Sequence, residues 1–301
     1  MLIRLAPWLF VVLWSTGYIG SKYGVAYAEP LTMLTLRFVA VVILIATAAV
    51  ILRTSGLSPR AFAMQIGVGA LIHGVYLGGV FWAIDRGMPA GVAALIVCLQ
   101  PILTASAGGW LLGERITLRH WGGLWLGLAG VALVLAPKMA TGDAGFTVAT
   151  VLACVISLAA ITAGTLWQKA SAAGLPLRAS LLPQFIGAAA VVGAGAGLSE
   201  AGEITWSPVF IAALAWLTLV LSIGAITLLL ILVRENEAWR TASLFYLVPP
   251  ITAVMAWALF GETLTVVQLI GMMLVTGAIL SLQTRRAETI AAPGGAKRSA
   301  A

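Results

Sequence analysis

The residues of this sequence that could do chemistry are polar side chains within long apolar stretches. They are His73, Tyr76, Gln100, Trp167 and Tyr246. Only the histidine changes charge near neutral pH, so the set offers mostly neutral hydrogen-bond donors and acceptors. Neutral polar groups among apolar walls predict a pocket for a small amphipathic molecule, such as an amino acid or a related metabolite.

Arg37 also lies inside an apolar stretch, about two helical turns from its end. Two interpretations are open. Its guanidinium attracts the carboxylate of a bound molecule, or its side chain extends to lipid headgroups at the membrane surface. We therefore add Arg37 to the candidate binding residues.

Composition decides what kind of protein holds these residues. Of the 301 residues, 61% are hydrophobic and 9% are charged, whereas soluble domains contain about 25% charged residues. No water-soluble fold of this size could bury so much apolar surface. The sequence therefore predicts an all-α polytopic membrane protein, embedded in a lipid bilayer.

Apolar stretches of about 20 residues, the length that crosses a bilayer, occur throughout the chain. We predict ten transmembrane helices over residues 6–26, 31–52, 61–84, 89–112, 120–137, 145–169, 178–199, 207–233, 238–260 and 265–283. Their short connections make consecutive helices antiparallel neighbours.

The basic residues indicate the orientation. With a cytoplasmic N-terminus, 13 Lys and Arg residues fall on the inner side of the membrane and 3 fall on the outer side. We therefore expect a protein of the bacterial inner (plasma) membrane with both termini in the cytoplasm. Residues 284–301 are expected to form a disordered cytoplasmic tail. A cleavable signal peptide ending at Ala26-Tyr27-Ala28 is the alternative for the N-terminus, and Lys22 argues against it.

The chain contains an internal repeat. A shift of 148 aligns residues 101–126 with 249–274, and a shift of 147 extends the likeness towards the start of each half. Matched pairs include Pro101 with Pro249, Gly113 with Gly261, Glu114 with Glu262, Gly123 with Gly271, Leu34 with Leu181 and Phe38 with Phe185. We predict a first repeat over residues 1–138 with helices 1–5 and a second over residues 145–283 with helices 6–10.

Five crossings per repeat is an odd number, so the second repeat must cross the membrane in the opposite sense. Two inverted repeats around a central cavity have two asymmetric conformations, each open to one side. The repeat therefore predicts transport by alternating access.

The repeated segments resemble the tandem EamA domains of the drug/metabolite transporter superfamily. The likeness rests on Pro101 through Gly113-Glu114-Arg115-Ile116-Thr117 and on Pro249-Pro250 through Gly261-Glu262-Thr263-Leu264-Thr265, and it covers residues 6–283. The resemblance implies a secondary transporter. Within the superfamily, the chain is most similar to bacterial amino-acid exporters, including those for aromatic amino acids.

Pro101, Pro249 and Pro250 are placed midway along predicted helices 4 and 9. Proline removes a backbone donor and bends a helix, and a freed carbonyl inside a membrane must face protein or a cavity. We interpret these prolines as hinges or gates, with a static bend as the alternative. Glu114, followed by Thr117, is interpreted as a carboxylate that caps the next helix.

No Asp or Glu lies deep in a predicted span. Proton-driven carriers usually use an intramembrane carboxylate, so proton antiport would depend on His73, a residue type with an ordinary pKa of about 6.5. We therefore expect facilitated export down the substrate gradient. Export of drugs or other metabolites, coupled to protons through His73, is the alternative.

Other functional classes fit less well. An intramembrane enzyme needs a nucleophile and a base, or metal ligands, at one depth, and the sequence has neither an H-E-x-x-H nor a G-x-S-x-G motif. A channel would show a polar stripe or a charged ring along a pore. We expect a monomer that takes a small-molecule substrate, with no cofactor, metal or nucleic acid, and with Cys98 and Cys154 unpaired.

Overall fold

The computed structural model describes residues 2–54, 56–88, 90–114, 116–140, 147–171, 175–261 and 263–283. The predicted tail, 284–301, and Glu262 lie outside the described residues. The helices are α1 (Leu2–Gly24), α2 (Pro30–Ile51), α3 (Pro59–Gly69), α4 (Tyr76–Asp85), α5 (Ala90–Val97), α6 (Gln100–Leu111), α7 (Leu118–Ala140), α8 (Val148–Ser171), α9 (Leu177–Ser199), α10 (Pro208–Trp216), α11 (Ile226–Glu235), α12 (Ala238–Ser243), α13 (Val248–Phe260) and α14 (Val266–Gln283). The helix α7 thus continues past residue 138, the predicted end of the first repeat.

Several of these helices join in pairs to form longer, interrupted helical runs. A π-helical segment, Ala70–Val75, joins α3 to α4, and a second one, Leu217–Ala225, joins α10 to α11. A turn at residues 98–99 separates α5 from α6, and the 3-10 helix Leu244–Leu247 separates α12 from α13.

The prolines lie directly after these last two breaks. Pro101 is in the first turn of α6, and Pro249 and Pro250 are in the first turn of α13. The missing N–H of proline is tolerated in a first turn, because that group has no partner within the helix. Each proline predicted mid-helix therefore marks the start of a new helical segment.

Eight helical runs in the described part of the chain are long and apolar enough to cross a bilayer. They are Pro30–Ile51, Pro59–Asp85, Val92–Leu111, Leu118–Pro137, Val148–Ser171, Ala179–Ser199, Pro208–Glu235 and Ala238–Leu259. Two further apolar helices, Leu5–Ser21 and Val266–Leu282, are shorter. Large apolar side chains such as Trp110 and Leu118 are exposed on the outer surface, as lipid contact requires. The protein is an all-α polytopic membrane protein, and the count of ten spans stays a prediction.

Two pairs of long helices pack extensively: α2 packs against α9, and α7 packs against α14. Glycine lets the backbones of α7 and α14 approach closely. A Cβ added to Gly123 would lie 2.7 Å from the Leu282 side chain, and one added to Gly271 would lie 2.8 Å from the Val134 backbone nitrogen. This second helix pair is therefore in close backbone contact.

The bundle has two ends, which we name by their connections. At the mouth end, formed by residues 25–29 and 200–207, the Glu200 carboxylate accepts hydrogen bonds from the backbone N–H groups of Leu31 (2.8 Å) and Thr32 (2.6 Å). At the sealed end, formed by residues 112–114, 116–117 and 236–237, Lys169 donates to the carbonyl oxygen of Asn236 (2.6 Å). Both ends are thus held by contacts between distant parts of the chain.

Glu114 has a different role from the one predicted. Its carboxylate accepts a hydrogen bond from the backbone N–H of Ala238 at the start of α12 (2.6 Å), so it caps a helix in the other half of the chain. The next helix, α7, is capped by Thr117, whose hydroxyl accepts from the His120 N–H (3.4 Å). In the folded chain the start of α12 lies next to the Glu114 carboxylate, although 124 residues separate Glu114 from Ala238.

Candidate binding cavity

A cavity of about 780 Å³ extends from the mouth end into the middle of the bundle. Its lining passes from the exposed residues Asp85, Glu203 and Thr205 to the buried residues Arg37 and His73. Helices from both halves of the chain form its walls. Small-molecule sites usually have volumes of about 300–1,000 Å³, so this cavity has the size of a metabolite site.

His73 belongs to the π-helical segment Ala70–Val75 and lies deep in the cavity. Its buried ring stacks on Phe185, with ring centroids 5.2 Å apart and an interplanar angle of 9°. Among the described residues its Nε2 atom has no hydrogen-bond partner. Tyr76 follows at the start of α4, is also buried and lines the same cavity. π-Helical turns occur frequently at functional sites, and this one places a polar group in an aromatic wall.

Arg37 reaches the same cavity from α2. The side chain is 4% exposed, and its Nε donates a hydrogen bond to Ser222 Oγ (2.8 Å). Ser222 belongs to the second π-helical segment and donates to the Leu217 carbonyl oxygen (3.2 Å). Within the described ranges Arg37 has no carboxylate at ion-pair distance. A buried cation without a counter-charge is unfavourable, so this position would favour an anionic group of a ligand.

Aromatic side chains form much of the remaining wall. Phe38, Phe81, Phe185 and Phe245 line the cavity together with Trp14, and the Trp14 and Phe245 rings meet edge to face at 5.1 Å. None of these phenylalanines is among the binding residues predicted from the sequence. From the sequence alone, a phenylalanine in an apolar helix that lines a cavity looks the same as one that packs against another helix or contacts lipid.

Four of the candidate residues thus line the cavity: Arg37, His73, Tyr76 and Pro249. The remaining candidates, Gln100, Trp167, Tyr246, Pro101 and Pro250, do not line it. Gln100 is buried and donates to Thr165 Oγ1 (3.3 Å). Tyr246 is fully buried against Gly127. Trp167 is 39% exposed and packs on Gly67.

Below the cavity, three buried glutamines connect helices at the sealed end. Gln184 of α9 donates to Gln65 Oε1 of α3 (2.6 Å) and to Gln168 Oε1 of α8 (2.9 Å). The backbones of α3 and α9 touch here, because a Cβ on Gly69 or on Gly187 would overlap the opposite backbone. This contact packs α3 tightly against α9, and polar residues in apolar spans were the sequence signal that could have revealed it.

Charge at the sealed end is also shaped by burial. Glu114 is half-buried, and desolvation raises the pKa of its carboxyl above the ordinary value of 4.5. Backbone hydrogen bonds from Ala238 and Trp239 oppose this shift, while the nearby Glu237 adds to it.

Comparisons with known proteins fit this architecture. Residues 5–136 match the model of the EamA-like transporter family. This match and the relatives described next support a drug/metabolite transporter. It is 29% identical over 285 residues to a "Probable amino-acid metabolite efflux pump" of Salmonella typhimurium strain LT2, covering 90% of this chain and 91% of that protein.

Further similarities extend over most of the transporter. A protein of the same printed name from Escherichia coli K12 is 27% identical, with 91% of this chain and 92% of that protein covered. An "Uncharacterized inner membrane transporter YedA" from the same strain is 25% identical, with 89% and 86% covered. A solved crystal structure at 20% identity superposes with a TM-score of 0.78 over 94% of this chain and 98% of that chain, which shows that the fold is shared.

Proposed function

We propose that this transporter exports amino acids, including aromatic ones, or related small amphipathic metabolites across a bacterial inner membrane by alternating access. The observation that carries the proposal is a metabolite-sized cavity, open at one end and closed at the other, with aromatic walls and the two buried polar groups Arg37 and His73. An amino acid supplies a matching apolar side chain and polar head. The names of the two amino-acid efflux pump relatives support the same substrate class.

Alternating access rests on the proposal that residues 1–138 and 145–283 are inverted repeats. A shift of 148 relates Gly123 to Gly271 and Val134 to Leu282. Gly123 packs on Leu282, and Gly271 packs on Val134, so equivalent residues exchange partners. Exchanged contacts of this kind are what a two-fold axis produces.

Two more features support a two-fold relation. Phe38 and Phe185, which a shift of 147 relates, contact each other with ring centroids 5.7 Å apart, as residues close to such an axis would. The two π-helical segments begin at Ala70 and Leu217, also 147 residues apart. Interrupted helices at matching positions of two halves are typical of transporter binding sites.

With cytoplasmic termini, as the basic residues predict, the mouth end faces the outside of the cell. The conformation described here is then the outward-open state of a monomeric exporter. The missing deep carboxylate favours transport down the substrate gradient. Proton antiport is the second candidate, and the unpartnered His73 Nε2 in the cavity wall favours it.

Counterflow in liposomes that contain the purified transporter tests the proposal. A labelled aromatic amino acid should accumulate transiently when unlabelled amino acid is preloaded, and a panel of the twenty amino acids should define the competitors. Competition by a nucleoside or a cationic dye, with none by amino acids, would contradict the substrate class. Accumulation driven by a pH gradient and abolished by His73→Gln would replace facilitated export by proton antiport.

A further inference from the structure

The Arg37 guanidinium is a buried cation whose hydrogen-bonding capacity is mostly unused. The side chain is 96% buried and lines the cavity. Its hydrogen bond within the described residues is the one from Nε to Ser222. A guanidinium has five N–H donors in a planar fork, so the two Nη groups remain for a ligand.

We infer that Arg37 anchors the carboxylate of the substrate and that Ser222 positions it for this role. With Nε held by Ser222, the two Nη atoms at the tip of the fork are the pair that can grip a carboxylate in a bidentate manner. The inference deepens the proposed function and rests on it. It names the substrate class more narrowly, as molecules that carry a free carboxylate next to an apolar group.

No carboxylate of the described residues lies at ion-pair distance from Arg37. Glu29 accepts hydrogen bonds from the backbone of residues 201–203 at the mouth end, the shortest from Gly202 (2.8 Å). Asp85 pairs with Arg86 (3.3 Å). Glu29 is also eight residues before Arg37, which corresponds to about 12 Å along a helix. A ligand can therefore supply the anion that the buried guanidinium lacks.

The same arrangement selects against other ligands. A cationic drug would place a second positive charge near Arg37 in a buried site, which is unfavourable. An ester, an amide or a decarboxylated amine offers no anion to the Nη pair. Phenylalanine, its methyl ester, phenethylamine and 3-phenylpropionate all contain one phenyl ring. A comparison of their binding therefore isolates the contribution of the carboxylate.

The experiment measures binding of these four probes to the purified full-length transporter by isothermal titration, followed by counterflow in liposomes. The wild-type protein should bind both acids at least about tenfold more tightly than the ester and the amine. Arg37→Gln should weaken binding of the acids by about 10- to 100-fold and should not weaken binding of the ester, whose ammonium group is no longer repelled by Arg37. The ratio of acid to ester affinity should then approach one.

Two further variants separate positioning from general damage. Arg37→Lys keeps the charge without the fork, so it should retain part of the acid preference. Ser222→Ala should lower the acid-to-ester ratio by a few-fold, and Ser222→Thr, which keeps the hydroxyl, should restore it. A merely structural role would change acid and ester binding equally and would leave the ratio as in the wild type.

The outcomes distinguish this inference from the proposed function. If amino acids are transported and Arg37→Gln keeps the acid-to-ester ratio, the carboxylate anchor is wrong and the export proposal stands. If 3-phenylpropionate is carried in an Arg37-dependent way and amino acids are not, the anchor stands and amino-acid export is wrong. Preference of the wild type for phenethylamine would overturn both.

Discussion

The mouth end and the sealed end of the bundle differ at two matching positions. Arg37 is the eighth residue of α2, and Gln184 is the eighth residue of α9. Arg37 makes one hydrogen bond and faces the cavity, whereas Gln184 makes two hydrogen bonds and fills the space between helices. The same helical position therefore faces open space at one end of the bundle and is packed between helices at the other.

We call the hydrogen-bonded glutamines Gln65, Gln168 and Gln184 the seal. Their hydrogen bonds can be replaced by hydrogen bonds to water. A neutral hydrogen bond contributes about 0.5–1.5 kcal/mol net, so the two bonds of Gln184 contribute about 1–3 kcal/mol. Differences of this size between two states are within the range that ligand binding can shift.

The close backbone contact of α3 and α9 should be the most sensitive point. In Gly187→Ala the added methyl group would overlap the Ile66 carbonyl oxygen, so the sealed end cannot close without separating the helices. We expect destabilisation by about 1–3 kcal/mol and faster labelling by a soluble maleimide of a cysteine at Ser171, with Cys98 and Cys154 replaced by alanine. The unfolding temperature and the labelling rate measure these effects.

A matched control lies on the same helix. Gly197 of α9 has open space where its Cβ would be, so Gly197→Ala should leave labelling unchanged and should stabilise the helix by about 0.5–1 kcal/mol. Equal behaviour of the two variants would contradict the importance of the backbone contact.

Removing the central amide should loosen the seal to a smaller extent. Gln184→Leu keeps the volume but leaves the acceptor oxygens of Gln65 and Gln168 without their donor. Opening of the sealed end should become easier by about 1–3 kcal/mol, visible as faster labelling of a cysteine at Ser171. Gln268→Leu, which removes an amide donating to the Val134 carbonyl oxygen on another helix pair, should leave this rate unchanged. A slower rate in Gln184→Leu would contradict the seal.

Glu114 should give the sealed end a pH dependence. Because burial raises the pKa of Glu114, the folded protein binds this proton more tightly than the unfolded chain. The resulting stability is fully present below the ordinary pKa of 4.5 and is lost as the pH rises through the raised value. Glu237 strengthens this effect and Lys169 weakens it.

Glu114→Gln removes this titration and keeps an acceptor for the Ala238 N–H. The difference in unfolding temperature between the wild type and Glu114→Gln should therefore change with pH in the acidic range and level off towards neutrality. Parallel curves for the wild type and Glu114→Gln would rule out the titration.

The smallest effect is expected at a candidate outside the cavity. The Tyr246 hydroxyl is buried and has no hydrogen-bond partner among the described residues, so Tyr246→Phe should change stability by less than about 0.5 kcal/mol or increase it. Transport should stay at the wild-type rate. Tyr76→Phe alters the cavity wall itself and should change the half-saturation constant for transport. A changed constant in Tyr246→Phe together with an unchanged one in Tyr76→Phe would indicate that the substrate binds near Tyr246.

The sequence predicts the membrane class and the interrupted helices better than it predicts the site. Arg37 and Gln100 both lie in apolar helices, yet one faces the cavity and the other bonds to Thr165. Lipid and the protein interior are both apolar, so the hydrophobic pattern does not reveal which way a helix is turned. Ser222 was missed for the same reason, because one hydroxyl in an apolar helix usually bonds to its own backbone.

The glycine contact between α7 and α14 has a mechanical consequence. Gly123, Gly130 and Gly271 bring these helices so close that a Cβ at any of them would lie less than 3 Å from the opposite helix, and no described residue of either helix lines the cavity. We therefore expect the pair to stay in place while the helices around the cavity move. A covalent cross-link between α7 and α14 should therefore be harmless to transport, whereas one between α3 and α9 should arrest it.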